Sequence, residues 1–167
     1  MRTRRLLILG AALWCCLIVA APVLAASGGV YRAAAGAVYG FFSPVCHQWD
    51  SHSFHLCGEK FGVCIRCSAI YAGFLAGIVL YPRLGKACER RFGARTLLAA
   101  GAAGMLADAA CSVARIAESS TASRLATWGI FGVLAAFVLT PLLQELMATL
   151  AAAAAQRRNN RLTISHD

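Results

Sequence analysis

The sequence predicts an all-α membrane protein with about four transmembrane helices and a short interfacial helix on the outer side. Three observations predict it. The 167-residue chain is 59% hydrophobic and 14% charged, whereas a soluble domain is nearer a quarter charged. Its apolar residues gather into runs at 6–26, 63–81, 96–113 and 125–143, each close to the roughly 20 residues that cross a bilayer. No alternating strand pattern suggests a barrel, so backbone amides in lipid must find partners within helices.

The elements follow in order. The first run, after Arg2, Arg4 and Arg5, ends on Val23-Leu24-Ala25. That ending also resembles a secretory signal with a small-residue cleavage site. The run is long for a signal, and Trp14, Cys15 and Cys16 are unusual in one, which favours a retained anchor helix. Residues 27–42 carry Tyr31, Tyr39, Phe41 and Phe42, aromatics that settle at a membrane surface, and should form an interfacial helix stopped near Pro44. A polar outer loop is expected over 45–62 and a basic inner loop over 82–95. A short outer loop over 114–124 carries Glu118 and Ser119. The last helix starts near Leu125, runs on through 148–155, and should kink at Pro141, with Gln144 and Glu145 near the inner surface. Gly73 with Gly77, and Gly104 with Asp108, mark stripes where helices approach closely. The domains are therefore an anchor or signal-like segment over 1–26, a membrane domain over 27–155 and a basic tail over 156–167. No G-x-S-x-G, Walker loop or H-E-x-x-H is present, and no catalytic residue is assigned.

The net charge of +9 taken alone points to nucleic acid, but its distribution argues against that reading. With the N-terminus in the cytoplasm, 11 of the 16 basic residues fall inside: Arg2, Arg4, Arg5, the 83–95 group and the tail. Arg32, Lys60, Arg66, Arg115 and Arg124 fall outside. This is the positive-inside signature, with both termini cytoplasmic in a prokaryotic cytoplasmic membrane. The partner is the lipid bilayer, and the basic loop also suits anionic lipid.

The chemistry lies in Cys46-His47-Gln48 and Cys64-Ile65-Arg66-Cys67. Cys64 and Cys67 are three apart, so on a helix their sulfurs can face one way. Such thiols hold a soft metal, form disulfides or exchange them. Outside the cytoplasm the default is a disulfide, and the four outer cysteines, Cys46, Cys57, Cys64 and Cys67, allow three pairings. Three features favour other fates. A CxxC bridge within a helix is strained and reactive. Arg66 favours thiolate. His47, His52 and His55 crowd the same loop, so Cys46, Cys64, Cys67 and one histidine would complete a tetrahedral zinc site. Cys46 and His47 can both ligate only if the backbone turns between them, so His52 or His55 can replace His47. Asp108 is an acid within an apolar run and needs a partner. Arg115, Arg124 and Arg66 are the candidates. Asp108 either pins helices together or joins the Cys/His cluster as one polar site.

Cys46-His47-Gln48, Ser53-Phe54 and Cys64-x-Arg66-Cys67-x-x-Ile70-Tyr71-x-Gly73 together resemble the small prokaryotic membrane proteins called domain of unknown function 2085. Asp108 and Ser123-Arg124-Leu125 through Gly129 are similar to that family's second half. The resemblance covers about residues 44–132. This chain departs at His52, where an arginine is usual, at Cys57, and at Ser68-Ala69, where Thr-Gly is common. The resemblance implies a fold class and a set of positions, and no activity. It also favours Arg124 as the partner of Asp108. The leading reading is a membrane protein whose outer cluster is a structural metal or disulfide clasp. A thiol–disulfide oxidoreductase using Cys64 and Cys67, with Cys46 as shuttle, is the alternative, and a metal-ion transporter comes third.

Overall fold

The computed structural model describes residues 2–114 and 120–164, with side chains over 3–114 and 120–157. Arg115, Glu118 and Ser119 lie outside the described residues. The chain forms helices α1 (Arg2–Ser27) and α2 (Gly29–Phe42), strands β1 (Ser53–Leu56) and β2 (Glu59–Cys64), and helices α3 (Ile65–Leu80), α4 (Lys86–Val113) and α5 (Thr121–Ile164). A 3₁₀ turn at Asp50–His52 precedes β1, and a π-turn at Tyr81–Gly85 joins α3 to α4.

The helices are held by their own composition. Leucine, isoleucine, valine and alanine fill α1, α3 and α5 with little amphipathic bias, as elements set in lipid do. Leu6, Leu9 and Leu13 are exposed along α1, as are Leu106 on α4 and Ile130 and Leu142 on α5. Among the described residues, three stretches are long and apolar enough to cross a membrane: Thr3–Ser27, Ile65–Val113 and Thr121–Arg157. The middle stretch holds two helices. Arg66, at the head of α3, reaches Ser112 near the end of α4, so α4 runs back antiparallel to α3. Pro82, which lacks an N–H, sits at the start of the π-turn that reverses the chain. Tyr81 is buried there against Phe137, at 6.5 Å between ring centroids.

The expected loop over 82–95 is instead mostly helical. α4 begins at Lys86 and is broken once, at Gly93, whose φ of 74° and ψ of 155° leave the helical region. A side chain there would be strained, which is why glycine marks the break. α5 is continuous through Pro141. The interfacial helix expected over 27–42 corresponds to α2, set off from α1 by a turn at Gly28 and Gly29 with φ of 70° and 54°.

α3 and α5 run parallel and meet backbone to backbone. A Cβ at Gly73 would overlap the Gly129 carbonyl, and one at Gly77 would lie 2.8 Å from the Val133 oxygen. From the α5 side, a Cβ at Gly132 would lie 2.9 Å from the Phe74 amide nitrogen. Glycine is required on both sides of this seam. The second stripe expected, through Gly104, is not a seam: a Cβ there meets nothing within 4 Å. Gly101 faces α5 instead, against Phe131.

The all-α expectation is corrected at residues 53–64. There the outer loop folds as an antiparallel hairpin, with His55 opposite Lys60 and Leu56 opposite Glu59. Its two-residue turn, Cys57-Gly58, has both φ values positive, at 55° and 80°. That is the demand of a primed turn whose twist matches the strands. The hairpin lies against the C-terminal half of α1, where Gly62 approaches the Ile18 backbone. Beneath it Ile18, Phe42, Cys46 and Val63 form a buried cluster with Trp14 and Tyr71 packed against it.

Candidate thiol centre at the hairpin end of the bundle

Three elements converge on one point. Ser43-Pro44 ends α2, and the Val45 and Cys46 amides both donate to the Phe42 carbonyl, at 3.1 and 3.0 Å. This turn drives Cys46 inward, where it is 6% exposed. Cys64 closes β2 and caps α3, with extended backbone at φ −68° and ψ 166°. Cys67 lies in the first turn of α3. The Sγ atoms of Cys46, Cys64 and Cys67 all lie within 4.8 Å of one another. The CxxC is therefore not wholly inside a helix, since its first cysteine precedes it.

The sulfur of Cys46 accepts two backbone N–H bonds, from Cys64 at 3.2 Å and from Gln48 at 3.4 Å. The hydrogen bond from Cys67 holds the Cys64 thiol below the ordinary thiol range, against burial, which pushes it up. The loop is latched in place by Gln48. Its side-chain amide donates to the Tyr39 carbonyl at 2.8 Å, and its own carbonyl accepts from Lys60 Nζ at 2.9 Å. Tyr39 in turn donates its hydroxyl to the Lys60 carbonyl at 2.5 Å. Gln48 sits at φ 50°, which lets the chain turn sharply after Cys46-His47.

The histidines are distributed differently. His47 is exposed and faces Trp49, with centroids 6.0 Å apart. His52 also lies against Trp49, at 5.7 Å between ring centroids. Both line a cavity of about 280 Å³ that the three cysteines also line. His55 points elsewhere, pairing with Asp50 at 3.1 Å on the surface. Cys57 is exposed at the hairpin tip. Neither His55 nor Cys57 belongs to the thiol group, because the hairpin carries both outward along its strands.

A second polar cluster closes the far wall. Asp108, with 2% of its side chain exposed, lies 3.6 Å from Arg66 Nη2. Ser123 donates to its Oδ1 at 2.8 Å, and the Trp128 indole to its Oδ2 at 3.1 Å. Arg66 also donates to Ser112 at 3.2 Å and stacks over the Trp128 ring at 5.3 Å. Arg124 acts on Asp108 through its charge and lines the cavity beside Arg66 and Trp128. Among the described residues Asp108 is thus ion-paired with Arg66, and the Arg124 charge acts on the same carboxylate. Trp128 escaped the sequence reading, and Ser123 entered it only within the family-like Ser123-Arg124-Leu125 run, although both lie on the first turns of α5, level with the end of α4. A carboxylate at that depth needs neutral donors as well as a cation.

A bundle of apolar helices with a polar centre at one end is a membrane protein in class. The chain belongs to the family described as "Predicted membrane protein (DUF2085)", whose profile matches residues 46–138. That range begins at Cys46 and takes in the thiol trio, Arg66, Asp108 and Arg124. The chain is also similar to an uncharacterized protein of Methanocaldococcus jannaschii, 30% identical over 110 residues, which is 66% of this chain and 70% of the relative. No solved structure matches.

Proposed function

We propose that the thiol trio is a structural soft-metal site, zinc by its ligand set, that clasps the Cys46 loop and the hairpin onto the head of α3. The observation that carries this is the mutual spacing of three sulfurs from three elements. Zinc–thiolate bonds of about 2.3 Å in a tetrahedron put sulfurs roughly 3.8 Å apart, so the trio closes on an ion with small movements. A disulfide would use two of the sulfurs and strand the third. The amides aimed at Cys46 also suit a bound thiolate, which accepts and cannot donate. The fourth position falls to a group from the adjoining cavity, where His47 and His52 offer imidazoles.

The crossings number four on this reading. α3 and α4 are antiparallel, and the 49 residues of Ile65–Val113 would span roughly 70 Å at 1.5 Å per residue, more than twice a bilayer core. The positive-inside count then puts both termini in the cytoplasm and the thiol centre outside. Labelling of Cys88 in intact cells by a reagent that cannot cross membranes would reverse that orientation.

The test of the site is elemental analysis with free-thiol counting, on protein purified without reductant or chelator. About one zinc per chain is expected, and Cys46→Ser, Cys64→Ser and Cys67→Ser should each remove it. Double substitutions should cost little more than single ones, because the ligands act as a unit. Absence of metal with two thiols oxidised would make the centre a disulfide. That outcome would also favour the exchange reading, in which Cys46 attacks the Cys64–Cys67 bridge.

A further inference from the structure

The cavity beside the thiols has a charge character of its own. Among the described residues its lining holds two guanidiniums, Arg66 and Arg124, with the imidazoles of His47 and His52, and no aspartate or glutamate. Behind the lining, Asp108 is buried, accepts hydrogen bonds from Ser123 and Trp128, and is ion-paired with Arg66. It holds Arg66 in place from behind without entering the lining. The first turn of α3 opens on the same space through Cys64, Arg66 and Cys67, and a helix N-terminus adds partial positive charge. Trp49 and Trp128 supply flat apolar walls. Water-filled clefts with one sign of charge on low-dielectric walls concentrate ions of the opposite sign.

We propose that this cavity binds a phosphate-type oxyanion, with Arg124 and Arg66 as the groups that recognise it. Guanidiniums match such oxygens two at a time. A volume of about 280 Å³ admits a phosphate group with a small substituent. The cavity opens at the end of the bundle, so the group can come from a free small molecule or from a lipid headgroup. The inference does not rest on the metal: Arg66 and Arg124 line the cavity whether the thiols hold zinc or a disulfide.

The test uses the full chain in neutral detergent, with tryptophan fluorescence as the readout because Trp49 and Trp128 line the cavity. Inorganic phosphate is titrated in one arm. Short-chain phosphatidylglycerol is titrated in the other, with short-chain phosphatidylcholine as the zwitterionic control. A saturable response to phosphate identifies a free anion as sufficient. A response to phosphatidylglycerol but to neither phosphate nor phosphatidylcholine identifies a headgroup. Arg124→Gln should weaken binding at least tenfold, whereas Arg32→Gln, an exposed arginine on α2, should leave it unchanged. If Arg124→Gln does not fold, His52→Asp serves instead. It places a carboxylate in the lining from a half-exposed turn, and should also weaken binding at least tenfold. No saturable response to phosphate or phosphatidylglycerol, or equal affinity in the cavity variant and the parent chain, overturns the proposal. Zinc content measured on the same samples separates its failure from failure of the metal site.

Discussion

α3 is held in two different ways along its length. At Gly73 and Gly77 it meets α5 with nothing between the backbones. At Arg66 and Cys67 it meets its neighbours through a charge and a sulfur, each with named polar partners. The seam is fixed by shape and the head by chemistry. Shape in a close-packed seam has no spare volume, so one added methyl group is felt by the whole helix pair. Polar links are separable. Removing one leaves a local deficit that a second change can offset.

The largest effect should come from the seam. Gly73→Leu drives a side chain into the Gly129 carbonyl, which belongs to backbone and cannot swing aside. The cost should exceed the roughly 3 kcal/mol that usually bounds overpacking, and no folded protein should be recovered in detergent. Gly104→Ala is the matched control. Nothing lies within 4 Å of its Cβ, so its thermal stability should stay within about 1 kcal/mol of the parent, with alanine's better helix propensity acting in its favour. A folded, stable Gly73→Leu protein would break the comparison at its first term.

At the head, Asp108→Asn should cost roughly 2 kcal/mol, read as a fall in the detergent melting temperature. The amide still accepts from Ser123 or Trp128, but it leaves Arg66 without its counter-charge. Adding Arg66→Gln should recover part of the loss, and more of it than adding Arg124→Gln. Equal recovery from both would mean that Asp108 answers the field of the whole cavity rather than one guanidinium.

The same contrast explains what could be read from the sequence. The apolar runs, a short helix expected over 27–42 and the close approach at Gly73 and Gly77 are stated by composition and spacing alone. Cys46, Cys64 and Cys67 could be named as candidates because thiol chemistry is narrow, with Cys57 and the loop histidines standing beside them as alternatives. The hairpin was not legible. Its strands are four and six residues long, and its turn is Cys-Gly rather than the Asn-Gly that announces a primed turn. The helical reading of 82–95 was hidden by its charges, which look like a loop until Glu89 is seen accepting from Tyr81 at 3.4 Å. That Arg66 comes within 3.6 Å of Asp108 depended on helix rotation, which no spacing rule supplies across two separate helices.

The smallest effect sharpens the boundary of the thiol centre. Cys57 and the trio are all cysteines of one segment, and sequence alone cannot say which belong together. Cys57 holds φ 55° at the first central position of the hairpin turn and is exposed. Asparagine tolerates that left-handed conformation better than cysteine does, and Asn-Gly is the preferred pair for such a turn. Cys57→Asn should therefore leave zinc content unchanged and lower the free-thiol count by one. It should raise stability by a few tenths of a kcal/mol, since favourable turn residues relieve strain at the tip. The direction matters more than the size. A Cys57→Asn protein that lost its metal would mean that the hairpin tip folds back onto α3 in the membrane. The fourth ligand would then be a thiol, and neither His47 nor His52 would be needed to complete the site.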